Sequence, residues 1–105
     1  MSRPALLEDA AVTGWLDDHS RWRREMGHLV REIETADYPS SVAIVDAQVK
    51  LAEELGHHPI VTIGYRHLRF EVWTHDRDGL TELDLRYAQG LDDLVDADFK
   101  DVVTR

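Results

Sequence analysis

The clearest hydrophobic pattern in the sequence is an alternation with a period of two residues near the middle of the chain. Residues 60–65 are rich in β-branched and aromatic side chains, and apolar residues then occupy every second position, at Leu68, Phe70 and Val72. A period of two residues is typical of a strand with one buried face. The pattern predicts two strands, with the even-numbered side chains toward the core and the odd-numbered ones, through to His75, on the opposite face.

Three other segments carry apolar side chains at intervals of three or four residues, which is typical of helices. The first covers residues 4–18, the second begins at the capping residue Asp37 and stops at Gly56, and the third begins at Thr81 and continues almost to the C-terminus. Asp84 stands three residues after Thr81, so the two resemble a capping box with Asp in place of Glu or Gln. One side of the second helix carries a row of apolar residues, Val42, Val45, Val49 and Ala52, with Ile44, Leu51 and Leu55 beside it.

The remaining segment, residues 21–34, alternates around Met26-Gly27 and predicts a hairpin whose second strand covers residues 28–33. The element order is then helix, two strands, helix, two strands, helix. This order favours an antiparallel sheet covered by helices. We therefore predict an α+β fold in which three helices pack on one face of a four-stranded antiparallel sheet. Residues 1–105 contain no repeat or long linker, and we expect a single domain.

The composition narrows the chemistry that such a domain can perform. The chain has 105 residues, 12 Lys and Arg against 21 Asp and Glu, a formal net charge of −9 and no cysteine. Without cysteine there are no disulfides, thiolate nucleophiles or cysteine-based metal sites. The acidic balance argues against direct binding to nucleic acid or to a membrane surface. No stretch approaches the ~20 apolar residues of a membrane helix, and Glu8 and Asp9 interrupt any signal-peptide core, so we expect a soluble cytoplasmic protein.

Six histidines, at positions 19, 28, 57, 58, 67 and 75, are the only side chains that titrate near neutral pH when unperturbed. Two of them, in His57-His58-Pro59, lie where the second helix ends and a strand begins, and Glu53 lies four residues before the first. His75 ends the last strand, and Asp84 opens the last helix. Imidazoles with carboxylates nearby are the usual components of general acid/base catalysis, each such group contributing roughly 10²–10⁴-fold in rate.

Each of these residues also has a purely structural interpretation. His57 can be a helix C-cap, adjacent histidines often are exposed polar residues, and Asp84 can simply cap the helix that Thr81 begins. Large rings such as that of Trp22 supply packing in a core or an interface more often than they stack on ligands. Zinc is a third option because imidazoles are frequent ligands, but the sequence lacks the i, i+4 histidine pair of a helical site, and no metal is expected.

One series of residues stands out together with its spacers: Glu53, three residues, His57-His58-Pro59, five residues, Tyr65, nine residues, His75, eight residues, Asp84. This series resembles the full signature of the pterin-4a-carbinolamine dehydratases. The segments Thr74-His75-Asp76 and Gly79-Leu80-Thr81 are similar to that family's threonine-histidine segment and its helix entry. The resemblance runs from about Trp22 to Ala88, which is most of the chain.

Members of that family dehydrate 4a-hydroxytetrahydropterin to quinonoid dihydropterin, which restores the cofactor used by aromatic amino acid hydroxylases. The resemblance implies this hydro-lyase activity, a pterin substrate, and no requirement for a metal or a redox cofactor. It implies catalytic roles for three histidines. His57 and His75 would be the acid and the base on opposite sides of C4a, and His58 would position the substrate. It also implies residues that orient the imidazoles or bind and enclose the pterin: Glu53, Asp84 and Trp22.

The resemblance further implies self-association, as a homodimer through the sheet or as a homotetramer through the helices. Some relatives serve as dimerisation partners of transcription factors. A non-catalytic binding module of the same fold is therefore the alternative function, and it would need an exposed apolar helix face.

Overall fold

All seven predicted elements form in the computed structural model, which describes residues 4–105; residues 1–3 lie outside that description. Three of the elements are helices: α1 (Asp9–Asp17), α2 (Tyr38–Leu55) and α3 (Glu82–Asp98). Four are strands: β1 (Trp22–Glu25), β2 (His28–Glu34), β3 (Ile60–Ile63) and β4 (His67–Val72). The strands make one antiparallel sheet in the order β1-β2-β4-β3, so the predicted α+β fold and its element order are confirmed.

The first hairpin forms because its two turn residues tolerate positive φ angles. Met26 has φ 49° and Gly27 has φ 79°. Two consecutive residues in this left-handed region match the twist of the flanking strands and make a tight two-residue connection. β1 and β2 then pair from Glu25 opposite His28 onward, as the alternation around Met26-Gly27 predicts.

One face of β4 is buried. Leu68, Phe70 and Val72 are fully buried, which confirms the predicted orientation of the even-numbered side chains of β4. In β3 the prediction is wrong, because Ile60 is 49% exposed, whereas the odd-numbered Val61 lies opposite Phe70 and packs against the core. β3 is shorter than the predicted segment and ends at Ile63, because the chain turns between there and β4, where the N–H of Gly64 donates to the carbonyl oxygen of residue 67 at 2.7 Å.

α2 has the predicted ends, but only part of the predicted apolar row faces the core: Ala52 is buried and Val45 packs against the core. Val42 and Val49 are 42% and 49% exposed, whereas the buried side consists of two apolar and two polar residues: Ile44, Ala52, Ser41 and Gln48. The two polar side chains are buried because each has a partner. Ser41 Oγ lies 2.6 Å from Thr35 Oγ1, and the hydroxyl of Tyr87 donates to Gln48 at 2.7 Å.

α1 begins at Asp9, so the prediction of a helix from Pro4 is wrong for residues 4–8. These residues are extended because a tertiary contact competes with the helix: the N–H of Leu7 donates to the carbonyl oxygen of Leu80 at 2.9 Å. This contact brings Pro4 and its neighbours alongside the turn that precedes α3.

α2 and α3 pack closely against each other on one face of the sheet. At Gly90 an added Cβ would lie 2.5 Å from a methyl group of Leu51, so the absence of a side chain there permits the close approach. No helix within residues 4–105 is long and apolar enough to span a membrane.

Candidate active site

His57 reaches the site because α2 ends abruptly just before it. Gly56 is the C-cap, with the left-handed φ of 59°, and the N–H of His57 donates to the carbonyl oxygen of Ala52 at 3.0 Å. Such a helix end reverses the direction of the chain. The C-cap is therefore Gly56 and not His57, so the structural interpretation of His57 as a C-cap does not hold. His57 is turned inward, 8% exposed, with its Nε2 2.5 Å from Oδ1 of Asp84.

Asp84, in the first turn of α3, is fully buried and has hydrogen-bond partners on both carboxylate oxygens. Oδ2 accepts from the backbone N–H of Thr81 at 2.8 Å and from the hydroxyl of Thr74 at 2.9 Å, while Oδ1 faces His57. The bond from Thr81 completes the predicted capping box. The structural and the functional interpretations of Asp84 are thus compatible, because one carboxylate caps the helix and contacts the imidazole.

The contact with Asp84 fixes which nitrogen of His57 carries a proton. An ionised carboxylate only accepts hydrogen bonds, so Nε2 of His57 is the donor. The other nitrogen, Nδ1, is then left to exchange a proton with another molecule. A carboxylate that holds an imidazole in one tautomer is the arrangement that many proton-transferring histidines use.

His58 forms a second imidazole–carboxylate pair, this time at the surface. Its Nε2 lies 2.5 Å from Oε2 of Glu53, which belongs to the last turn of α2. The two side chains are 60% and 67% exposed. Water screens such a pair, so it adds little to the stability of the fold, but it restricts the orientation of the His58 ring.

β4 ends at Val72, so His75 does not end the strand as predicted but begins a short 3₁₀ turn, His75–Arg77. The turn is closed by a backbone bond from the N–H of Thr74 to the carbonyl oxygen of Gly79, at 2.8 Å. His75 is exposed, and its imidazole stacks on the indole of Trp73 with 4.2 Å between the ring centroids and 28° between the planes. Among the described residues no hydrogen bond occupies its ring nitrogens, so they are available to a ligand.

All three of these histidines line one cavity of about 290 Å³. His57, His58 and His75 line it together with five other residues: Pro4, Gly56, Thr74, Asp76 and Leu83. The volume lies near the lower end of the ~300–1,000 Å³ typical of small-molecule sites. The end of α2, the turn after β4 and the start of α3 thus bring together the histidines that the sequence singled out.

A larger cavity, of about 470 Å³, lies between the β3–β4 turn and the C-terminal segment. Tyr65, a member of the sequence signature, lines this cavity and not the one with the three imidazoles. Among the described residues, His67 is the one histidine that lines this larger cavity, and its Nε2 lies 2.9 Å from Oε1 of Glu32. Convergent proton-transfer groups mark a site better than volume does, so we take the smaller cavity as the candidate active site.

Trp22, which the resemblance assigns to the lining of the site, lies in the core. Its indole N–H donates to Oδ1 of Asp92 at 2.9 Å, and the guanidinium group of Arg31 donates to the same oxygen. All three residues are buried. Trp22 does not line the candidate cavity, and its contacts support a structural role.

The other histidines have partners outside the cavity. His19 stacks on Trp15, and His28 Nδ1 lies 2.6 Å from Oε2 of Glu71. Within residues 4–105, no three side chains of His, Asp or Glu are grouped as a metal site would require.

Two residues beside the imidazoles were given no role from the sequence. Thr74 donates to Asp84, and in the sequence it is marked only as part of the segment Thr74-His75-Asp76 that carries the resemblance. Trp73 stacks on His75. The feature of the sequence that indicates this is its odd-numbered position just beyond the end of β4, because odd-numbered side chains there lie on the outer face of the sheet.

Comparison with known proteins identifies one family. The family model described as "Pterin 4 alpha carbinolamine dehydratase" matches residues 5–94. A relative from Metallosphaera sedula is 41% identical over 73 residues, which cover 70% of this chain and 76% of the relative. Another, from Chloroflexus aurantiacus, is 35% identical over 89 residues, which cover 85% of this chain and 96% of the relative. Both carry the name "Putative pterin-4-alpha-carbinolamine dehydratase".

Two solved structures are similar in fold. A protein from Brucella melitensis, called a transcriptional coactivator/pterin dehydratase, has a TM-score of 0.81 at 22% identity and matches 86% of this chain and 98% of its own. A pterin dehydratase-like protein described as a RuBisCO assembly factor in the alpha-carboxysome has a TM-score of 0.57 at 23% identity, covering 70% of this chain and 86% of its own. At these identities the likeness concerns the fold.

Proposed function

Because the chain belongs to the pterin-4a-carbinolamine dehydratase family, we propose that it dehydrates a 4a-hydroxytetrahydropterin to the quinonoid dihydropterin and water. The observation that carries this proposal is the convergence of His57, His58 and His75 on one cavity. The volume of the cavity, about 290 Å³, is suited to a small planar molecule.

The reaction needs only two proton transfers. A base removes the proton from N5, the C4a–O bond breaks, and an acid protonates the departing hydroxyl so that it leaves as water. His57 and His75 are the proposed acid and base, since they enter the cavity from different elements, the end of α2 and the turn after β4. His58 positions the hydroxyl or the ring. Groups that titrate near neutrality are the most effective ones for such transfers.

The carboxylates act through the imidazoles. Oδ1 of Asp84 lies 2.5 Å from Nε2 of His57, and Oε2 of Glu53 lies at the same distance from Nε2 of His58. We therefore assign Asp84 and Glu53 as positioning residues. Trp22 receives no contact with the substrate in this proposal, because the cavity lining does not include it.

The direct test is the decay of 4a-hydroxytetrahydropterin followed by stopped-flow absorbance. We expect the wild-type protein to accelerate it, and His57→Ala and His75→Ala each to lower kcat by roughly 10²–10⁴-fold because a proton-transfer group is lost. His67→Ala, a histidine outside the cavity, is the matched control and should retain the wild-type rate. The proposal is wrong if the wild-type protein only matches the uncatalysed rate.

Self-association and partner binding both concern exposed apolar side chains. The exposed apolar side chains of α2, Tyr38, Val42 and Val49, support a homotetramer of a cytoplasmic enzyme through the helices. Those of the edge strand β3, Ile60 and Ile63, support a homodimer through the sheet. The apolar surface of α2 also supports the alternative function, a non-catalytic protein-binding module. The name of the Brucella melitensis protein, transcriptional coactivator/pterin dehydratase, is in keeping with that alternative. Light scattering gives the mass in solution. Affinity capture that finds no stable partner for an already oligomeric protein would count against the alternative.

A further inference from the structure

The orientation of His75 needs a physical cause. Exposed side chains sample several rotamers unless contacts restrict them, and no hydrogen bond from the described residues holds this imidazole. His75 also begins a three-residue 3₁₀ turn, so regular secondary structure does little to fix it. The contact that defines the direction of its ring is the stacking on Trp73, with 4.2 Å between the centroids.

Trp73 is held from its other side as well. Its indole stacks on the imidazole of His28, with 3.8 Å between the centroids and 5° between the planes. The strand register explains this contact. Leu29 of β2 pairs with Val72 of β4, so the next positions, His28 and Trp73, face each other on the outer side of the sheet. The indole therefore lies between two imidazoles.

His28 is anchored by a chain of hydrogen bonds across three strands. Its Nδ1 lies 2.6 Å from Glu71 Oε2, and Arg69 donates to Glu71 at 2.9 Å and to Glu25 of β1 at 3.0 Å. The side chains of His28 and Glu71 are only 21% and 19% exposed. The sheet thus fixes the far end of the stack, while the near end, His75, lines the cavity.

We propose that Trp73 is a positioning residue, which holds the imidazole of His75 toward the cavity that His57 and His58 also line. This inference rests on the proposed dehydratase function. Trp73 itself does not line the cavity, so its effect passes through His75. Proton transfer depends steeply on geometry, and a misplacement of about 1 Å can cost on the order of 10²-fold in rate.

The test separates kcat from KM. Trp73→Ala removes the stacking surface and leaves His75 in place, and we expect kcat to fall roughly 10- to 100-fold with KM changed by less than about threefold. Trp73→Phe retains a ring that can stack, and we expect it to restore kcat to within about threefold of the wild-type value.

Trp15 provides a matched control. It stacks on His19 with 3.8 Å between the centroids and 4° between the planes, and neither ring lines the cavity. Trp15→Ala thus removes a tryptophan–histidine stack of the same kind, and the properly folded variant should retain the wild-type kcat. Thermal unfolding of all variants identifies any loss that comes from unfolding.

A second measurement on the wild-type protein needs no variant. Nuclear magnetic resonance should detect contacts between the His75 and Trp73 rings, and the indole should shift the imidazole protons upfield. Absence of these signals, a wild-type kcat in Trp73→Ala, or equal losses in Trp73→Ala and Trp73→Phe overturns the inference. A wild-type protein that does not accelerate the dehydration overturns the proposed function itself, and the catalytic role of Trp73 with it.

Discussion

Asp84 shows how one side chain can serve the fold and the site together. A buried carboxylate is costly unless hydrogen bonds compensate for lost hydration. Here the compensation comes from three separate elements: the backbone of Thr81 before α3, the hydroxyl of Thr74 after β4, and the ring of His57 after α2. Because the capping bonds fix the carboxylate, they also fix the imidazole that it contacts.

Replacing Asp84 with Asn should therefore affect both stability and turnover. The amide keeps the size of the side chain but presents an N–H₂ group where an oxygen now accepts, so either His57 or the cap loses its acceptor. We expect the free energy of unfolding to fall by about 1.5–3 kcal/mol and kcat by roughly 10²–10⁴-fold. Urea denaturation and stopped-flow kinetics measure the two effects.

Asp37→Asn is the control for the change at Asp84. Asp37 also caps a helix, accepting from the N–H of Ser40 at 2.8 Å, but it is exposed and does not line the cavity. Its variant should keep the wild-type kcat. If Asp84→Asn also kept it, the carboxylate would have no role in orienting His57.

At the scale of elements, the capped ends of α2 are more predictable than its buried face. Asp37 and Gly56 bound α2 as the sequence indicates, because caps depend on local chemistry. Its buried face depends on distant partners. Gln48 is buried because the hydroxyl of Tyr87 reaches it, and Val49 beside it is exposed, a choice that no local pattern reveals.

Two glycine substitutions should have opposite effects on stability. At both Gly14 and Gly56 an added Cβ would meet no atom within 4 Å, so space does not distinguish them. Gly14 lies inside α1, where Ala favours the helix, and Gly14→Ala should raise the free energy of unfolding by about 0.5–1 kcal/mol. Gly56 has φ 59°, a left-handed conformation that is costly for residues with a Cβ. Gly56→Ala should therefore lower the free energy of unfolding by about 1–2 kcal/mol.

Urea denaturation of the two variants checks both signs. Gly56→Asn serves as an internal control, because Asn tolerates the left-handed conformation better than Ala, and it should cost less than Gly56→Ala. A Gly56→Ala variant as stable as the wild-type protein would contradict the argument from the backbone angle at position 56, and a destabilised Gly14→Ala variant would contradict the argument from helix propensity.

At the scale of the whole molecule, the sequence indicated the histidines of the candidate site but not their surroundings. The spacing from Glu53 to Asp84 singled out the three histidines, and topology then brings them to one cavity. The stack of Trp73 between His28 and His75 depends on the register of β2 against β4, which the local patterns do not specify. In the same way, the extended segment at Leu7 depends on its contact with Leu80.

The outer face of the sheet is a second property of the whole molecule, because its charges come from several strands. Glu71 accepts from His28 and from Arg69, and these hydrogen bonds, that from His28 foremost, lower the pKa of its carboxyl group below the ordinary value. A lowered pKa means that the ionised carboxylate stabilises the folded state. This contribution is complete above the ordinary pKa of about 4.3 and is lost as the pH falls through the lower pKa of the folded state.

Glu71→Gln should thus reduce stability in a way that depends on pH. We expect the wild-type protein to be about 1 kcal/mol more stable than the variant at pH 7, a modest value because the pair is partly exposed to water. The difference should stay constant down to about pH 5 and then shrink as the pH falls through the lowered pKa of Glu71, since a protonated Glu71 no longer has the charge that His28 and Arg69 stabilise. Urea-denaturation midpoints at pH 7, 5, 4 and 3 measure this difference in stability.

Glu54→Gln is the control. Glu54 lies at an exposed site of α2, 3.9 Å from Lys50, and the variant should match the wild-type protein at every pH. A wild-type advantage that persists at the lowest pH would instead point to packing by Glu71 and not to its charge.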